Sequence, residues 1–91
     1  MAKIALRIIV TGKVQGVFYR KSAAEKAVSL GLYGWVKNNP DGSVEIEATG
    51  DKTSIEQLIS WCKTGPKNAK VDKVEEYELP LTNFSDFRII R

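Results

Sequence analysis

An α+β fold, in which two helices cover one face of an antiparallel sheet, is the fold class that the sequence predicts. Two observations support it. Several segments alternate apolar and polar residues with the period of a strand, and two others carry apolar residues at helical spacing. Because a chain of 91 residues encloses only one modest core, we expect residues 1–91 to form a single domain.

The first strand is predicted from Ile4 to Thr11, where every second residue is strongly apolar. A helix follows from about Arg20 to Leu30, and Gly31 is well placed just past its end. The start of this helix has two alternatives. It begins near Arg20, or it begins one turn later, because Ser22 opens a capping-box sequence.

The next two strands form a predicted hairpin, Tyr33 to Asn38 and Ser43 to Thr49, joined by the turn sequence NNPDG. Alternation in the second of them predicts one buried and one solvated face. The expected buried residues are Val44, Ile46 and Ala48, and the expected solvated ones are Glu45, Glu47 and Thr49.

A second helix is predicted to begin at a capping box formed by Thr53 and Glu56, and to end at Gly65-Pro66. Its apolar stripe consists of Ile55, Leu58, Ile59 and Cys62. Val71 to Leu79 and Phe87 to Ile90 complete the strands.

The resulting order, β-α-β-β-α-β plus a short fifth strand, matches the ferredoxin-like sandwich. In that plan the first two strands run parallel with the third between them, so both end at the same edge of the sheet. At about 4.8 Å per strand spacing, their ends lie roughly 10 Å apart. Arg20 and Asn38 are therefore expected to be neighbours across this edge.

Composition excludes several kinds of chemistry. The chain has no histidine and a single cysteine, Cys62, so a histidine base, a cysteine-based metal site and an internal disulfide are all impossible. We expect no cofactor and no metal.

The net charge of +3 is a weak indication of affinity for anions. No long apolar run or signal-peptide cleavage region is present, so we expect a cytoplasmic protein without a membrane partner.

The loop after the first strand suggests an anion site. Gly12 and Gly16 allow unusual backbone conformations, which let the amides before the helix point inward at an anion. The helix N-terminus adds its dipole, and Arg20 adds a fork of donors that suits phosphate oxygens. An arginine beside a glycine loop can also be simply solvated, and Asn38 can equally belong to a turn cluster with Asn39 and Asp41.

Two segments resemble the signatures of the acylphosphatase family at matching separation: GKVQGVFYR, and GWVKNNPDGSVEIEATG further along the chain. The ending DFRII is similar to the last strand of that family. The resemblance implies hydrolysis of acyl phosphates to a carboxylate and inorganic phosphate without a metal. It also implies that Asn38 positions the attacking water. The phosphate would be bound by the loop Gln15, Gly16, Val17, Phe18, Tyr19 and Arg20, with Arg20 as the phosphate-binding arginine.

Three positions depart from what the family commonly has: Phe18 and Tyr19 in the loop, and Asn39 after the asparagine. The Tyr19 hydroxyl needs a hydrogen-bond partner if it is buried. A carboxylate leaving group, with a pKa of roughly 4, needs no general acid, so the lack of histidine does not oppose this reaction.

Two rival functions share the fold. An RNA-binding module stacks bases on aromatic residues of its central sheet, but here the third strand, SVEIEAT, carries glutamates instead. A non-catalytic module that binds a small anion is the alternative that stays open. We expect a monomer that acts on a small-molecule acyl phosphate and has no nucleic-acid partner.

Overall fold

The computed structural model describes residues 2–81 and 83–90. In this part of the chain five strands and two helices follow the predicted order, and the ferredoxin-like α+β fold is confirmed. The elements are β1 (Lys3–Lys13), α1 (Tyr19–Ser29), β2 (Tyr33–Asn38), β3 (Val44–Asp51), α2 (Lys52–Cys62), β4 (Lys70–Leu79) and β5 (Phe87–Ile90).

The strands form one sheet in the order β4-β1-β3-β2-β5. Both β1 and β2 pair antiparallel with β3, so they run parallel to each other, as predicted. Val44 of β3 stands opposite Val10 on one side and Asn38 on the other, which sets the end of β2 level with the last part of β1. The sheet is not wholly antiparallel, because β5 pairs parallel with β2.

Both helices pack on one face of the sheet, α1 over β2 and β5 and α2 over β1 and β3. Small residues of α1, Ala23 and Ala27, are completely buried, so the helix can approach the strands closely. The predicted stripe of α2 is buried as expected. Each large apolar side chain in this core contributes roughly 1.5–3 kcal/mol by leaving water. The strand residues that face the helices are Leu6, Ile8, Val10, Val36, Val44, Ile46 and Ala48.

The prediction of a capping box for α2 is wrong. The helix begins at Lys52, directly after Asp51, and no side chain caps it. The Lys52 amide instead donates to the carbonyl of Ala2 at 3.0 Å. Asp51 still pairs with Lys3 in the sheet, so the chain enters the helix one residue after the last strand pair.

The solvated position predicted for Thr49 is also wrong, because only 9% of this residue is exposed. Its cross-strand neighbours in the sheet are Ala5 and Tyr33, and Leu79 stands beyond Ala5. Ala5 is buried too. Thr49 and Ala5 thus lie side by side between the larger residues Tyr33 and Leu79, which reduce their exposure to water.

Candidate active site

Gly12 does not belong to the loop that the sequence suggested. It lies inside β1 at an irregularity in the pairing with β4, with φ at +131°. A Cβ there would overlap the carbonyl oxygen of Lys70. The residue is therefore needed for close approach of two strands. Of the two glycines only Gly16, with φ at +75°, lies in the loop before α1.

Helix α1 begins at Tyr19, which agrees with a start near Arg20 and excludes the later start at the Ser22 cap. The residue before it, Phe18, is in the left-handed conformation and no side chain caps the helix. The Ser22 amide donates to the Phe18 carbonyl at 3.0 Å and closes the first turn. The preceding amides of the helix have no carbonyl within it to bind, and no acidic residue occupies the first turn. This end of α1 is thus a positive, uncapped terminus suited to an anion.

Tyr19 anchors the loop in the core. Only 1% of it is exposed, and its hydroxyl donates to the carbonyl of Cys62 at 2.8 Å. Its ring centroid lies 5.2 Å from that of Trp61. Burial, followed by the nearby Cys62 thiol, raises the pKa of the Tyr19 hydroxyl far above its usual value. The hydroxyl therefore has the partner it requires and ties the start of α1 to the end of α2.

Arg20 lies at the sheet edge formed by β5. Its Nη1 donates to the backbone carbonyl of Ile90 at 3.1 Å. Within residues 2–81 and 83–90, no carboxylate forms an ion pair with this guanidinium. This hydrogen bond orients the guanidinium, and its remaining N–H donors are available to an anionic ligand.

Asn38 ends β2, and its Oδ1 is buried without a hydrogen-bond partner among the described residues. Unpaired buried acceptors are uncommon, and a bound water is one way to satisfy them. Asn39, by contrast, belongs to the turn. Its Nδ2 donates to the hydroxyl of Ser43 at 3.1 Å and to the carboxylate of Glu45 at 3.2 Å.

Asp41 completes this turn network, since its carboxylate accepts hydrogen bonds from the amide and hydroxyl of Ser43. These bonds lower the pKa of the Asp41 carboxyl. Asn39 and Asp41 therefore belong to a turn cluster, as the sequence suggested, and Ser43 is their shared partner. The Oδ1 of Asn38 takes no part in it.

Gln15 joins the loop to the hairpin. Its Nε2 donates to the carbonyl of Asn39 at 2.8 Å and to the carbonyl of Ser43 at 2.9 Å. The side chain is thereby used in holding the turn.

A cavity of about 320 Å³ lies where these elements meet. Of the predicted site residues it is lined by Gly16, Phe18, Tyr19, Arg20 and Asn38, whereas Gln15 and Val17 do not line it. Val17 packs against the core. The cavity is also lined by Val14, Lys21 and Ile89, which sequence reasoning did not select. Ile89 reaches it through the pairing of β5 with β2, a contact that no local pattern reports.

Comparison with known proteins identifies the family of this chain. The acylphosphatase family model matches residues 6–89. The chain belongs to the acylphosphatase family. Two related acylphosphatases are those of Acaryochloris marina, 51% identical over 97% of this chain and 95% of that protein, and of Marinobacter nauticus, 54% identical over 89% of each.

The solved acylphosphatase structure from Coxiella burnetii superposes with a TM-score of 0.94 at 43% identity, covering 97% of this chain and 93% of that one. The likeness to these acylphosphatases therefore extends over nearly the whole chain. Among the described residues, no helix of this family member is long and apolar enough to cross a membrane.

Proposed function

We propose that this chain hydrolyses acyl phosphates to a carboxylate and inorganic phosphate, the reaction expected of an acylphosphatase. One observation supports the proposal most strongly. Asn38, whose Oδ1 is buried and unpaired, lines the same cavity as Arg20 and the first residues of the uncapped helix α1. A polar side chain that holds water and a set of anion donors are the two components that this hydrolysis requires.

The phosphoryl group would bind to the backbone amides of the loop from Gln15 to Arg20 and to the guanidinium of Arg20. Amides at a helix N-terminus bind anions because the dipole and the unpaired N–H groups both favour negative charge. Arginine adds charge-assisted hydrogen bonds, each contributing about 1.5–3 kcal/mol. The hydrogen bond from Arg20 to Ile90 keeps the guanidinium oriented before the substrate arrives.

The attacking water would be held by a hydrogen bond to the side-chain amide of Asn38. Its oxygen forms a bond to phosphorus on the side opposite the acyl oxygen, and the phosphorus–acyl oxygen bond breaks with its electron pair leaving on the carboxylate. The proton of the water passes to a phosphoryl oxygen. Since the leaving carboxylate has a pKa of about 4, it departs without a general acid.

We also propose that residues 1–91 act as one domain and as a monomer, in the cytoplasm, on a small molecule and without a cofactor. The glutamates of β3, Glu45 and Glu47, support the absence of a nucleic-acid partner. They lie on the sheet face opposite the helices, where Glu45 forms an ion pair with Arg7 at 3.2 Å and Glu47 adds a further negative charge opposite Arg7.

The experiment is turnover of acetyl phosphate and benzoyl phosphate by the purified protein in a buffer containing a chelator. Arg20→Ala is expected to abolish turnover and to weaken inhibition by inorganic phosphate by about 10-fold or more. Asn38→Ala is expected to lower kcat by about 10²–10³-fold, with the phosphate inhibition constant nearly unchanged. Arg88→Ala and Asn83→Ala, at exposed positions, are the matched controls.

The outcomes distinguish acyl phosphate hydrolysis from non-catalytic binding of a small anion. Absence of turnover by a folded protein that still binds phosphate would favour the non-catalytic anion-binding module. Equal loss of phosphate affinity in the Arg20 and Asn38 variants would overturn the division of roles between the two residues.

A further inference from the structure

Phe18 is a bulky apolar residue held in solvent beside the candidate active site. Its exposed fraction is 76%, although its chain neighbours Val17 and Tyr19 both pack against the core. Exposing an aromatic ring of this size forgoes the stabilisation that burial would bring. The fold gains no core contact from this side chain, so its presence needs another reason.

The backbone at Phe18 makes the choice of residue more unusual. Its φ is 63°, and it is the only non-glycine residue with positive φ in residues 2–81 and 83–90. Glycine or asparagine adopts this conformation with less strain. Strained residues of this kind concentrate at functional sites.

The cavity is lined by both polar and apolar side chains. Arg20, Lys21 and Asn38 supply the polar groups, and Phe18 and Ile89 supply apolar surface. An acyl phosphate combines the same two kinds of group, because a charged phosphoryl group is joined to an acyl group. The cavity volume of about 320 Å³ is at the lower end of the roughly 300–1,000 Å³ range of small-molecule sites.

The expected direction of attack indicates which end of the substrate Phe18 contacts. Water held by Asn38 and the departing carboxylate lie on opposite sides of phosphorus. The acyl group therefore extends away from Asn38, and Phe18 is the most exposed large apolar residue that lines the cavity.

We propose that Phe18 is a specificity-determining residue whose ring contacts the acyl group, so that the enzyme favours acyl phosphates with an aromatic or bulky apolar acyl group over acetyl phosphate. This inference rests on the proposed function. Aromatic rings contact other rings and apolar groups favourably, and a partly open rim gives modest discrimination. We expect kcat/KM for benzoyl phosphate to exceed that for acetyl phosphate by about 5-fold or more.

The test compares this benzoyl-to-acetyl ratio of kcat/KM in the wild type, Phe18→Asn and Phe18→Tyr. Both substrates make the same phosphate contacts, so a disturbance of the loop lowers both values alike and leaves the ratio unchanged. We expect Phe18→Asn, which suits the left-handed backbone, to reduce the ratio about 5-fold, and Phe18→Tyr to retain it. Val28→Asn, at a residue of α1 that is 62% exposed, is the control and should retain the ratio.

A ratio that is the same in the wild type and in Phe18→Asn would overturn the proposal, as would a wild-type preference for acetyl phosphate. Phe18→Gly provides a second variant if Phe18→Asn does not fold. Failure of the proposed function is distinguishable, because neither substrate would then be hydrolysed by the wild type.

Discussion

The side-chain amide of Gln15 lies 2.8 Å from the backbone carbonyl oxygen of Asn39, to which it donates a hydrogen bond. A second hydrogen bond reaches the carbonyl of Ser43 at 2.9 Å. One side chain thus connects the loop that would bind phosphate to the hairpin turn that follows Asn38. This connection is one of the contacts that hold the loop before Arg20 against the turn after Asn38.

Gln15→Ala should therefore separate catalysis from phosphate binding. We expect kcat to fall about 10-fold, because the turn beside Asn38 loses its link to the loop, while the phosphate inhibition constant changes less than about 2-fold. The free energy of unfolding should fall by about 1–2 kcal/mol for the two lost hydrogen bonds. Steady-state kinetics and urea unfolding measure these effects, with Gln57→Ala, an exposed glutamine of α2, as the control. An unchanged kcat would contradict the positioning role.

Tyr19→Phe should destabilise the fold although the ring is retained. The buried carbonyl of Cys62 loses its hydroxyl donor, and an unsatisfied buried acceptor costs about 1–3 kcal/mol. For a domain of this size each kcal/mol lowers the melting temperature by roughly 4–8 °C. Tyr33→Phe, at a residue that is 46% exposed, should change the free energy of unfolding by less than about 0.5 kcal/mol. Equal effects of the two substitutions would argue against the buried hydrogen bond.

Alkaline pH should weaken the fold through two buried groups. Burial raises the pKa of the Cys62 thiol from 9.0 to about 12, and burial also raises the pKa of the Tyr19 hydroxyl above its usual 10.0. The folded protein keeps these protons at pH values where the unfolded chain loses them, so the unfolded state binds fewer protons. Stability contributed by the two groups is present below about pH 9 and is lost as pH rises above it.

This pH dependence can be measured by urea unfolding at several pH values from 8 to 11. Each group contributes a slope of at most about 1.4 kcal/mol per pH unit. In Cys62→Ala the free energy of unfolding should fall less steeply between about pH 9 and 10. In this range the thiol of the unfolded chain loses its proton, whereas the tyrosine hydroxyl loses its proton at higher pH. Parallel curves for the wild type and this variant would show that the thiol does not contribute.

Lys21→Met should weaken substrate binding through the electrostatic potential of the cavity. Lys21 lines the cavity one residue after Arg20, and it is exposed to solvent. We expect KM to rise about 3-fold at roughly 0.01 M salt and to match the wild type near 1 M, where the Debye length is about 3 Å. Lys52→Met, at the exposed first residue of α2, should leave KM unchanged at every salt concentration. A difference that persists at high salt would indicate a direct contact instead.

Local sequence patterns correctly predicted the features that depend on a single segment of the chain. The bounds of β2 and β5 agree with the sequence prediction, and Gly31 follows α1 with φ at +74°, where the amide of Leu32 donates to the carbonyl of Ala27. Such features depend on alternation and on the conformational freedom of glycine. The start of α2 and the burial of Thr49 were predicted wrongly. Both depend on neighbouring strands, which a local pattern does not contain.

Some residues of the candidate site were predicted from the sequence and others were not. Arg20 and Asn38 were selected from motif spacing, and they line one cavity. Lys21 and Ile89 were missed. Ile89 lines the cavity only because β5 crosses to the far edge of the sheet and pairs with β2.

By itself the sequence determined the order of the elements, the apolar stripe of α2 and the absence of histidine chemistry, because these follow from residue type and periodicity. Tertiary structure alone decided that Asn38 keeps a buried, unpaired oxygen while Asn39 is used by the turn, and that Gly12 belongs to a strand contact with Lys70. It also left the Phe18 ring in solvent beside the cavity. These outcomes depend on contacts between residues that are far apart in the sequence. The pairing of strands brings such residues together, and their positions along the chain do not reveal it.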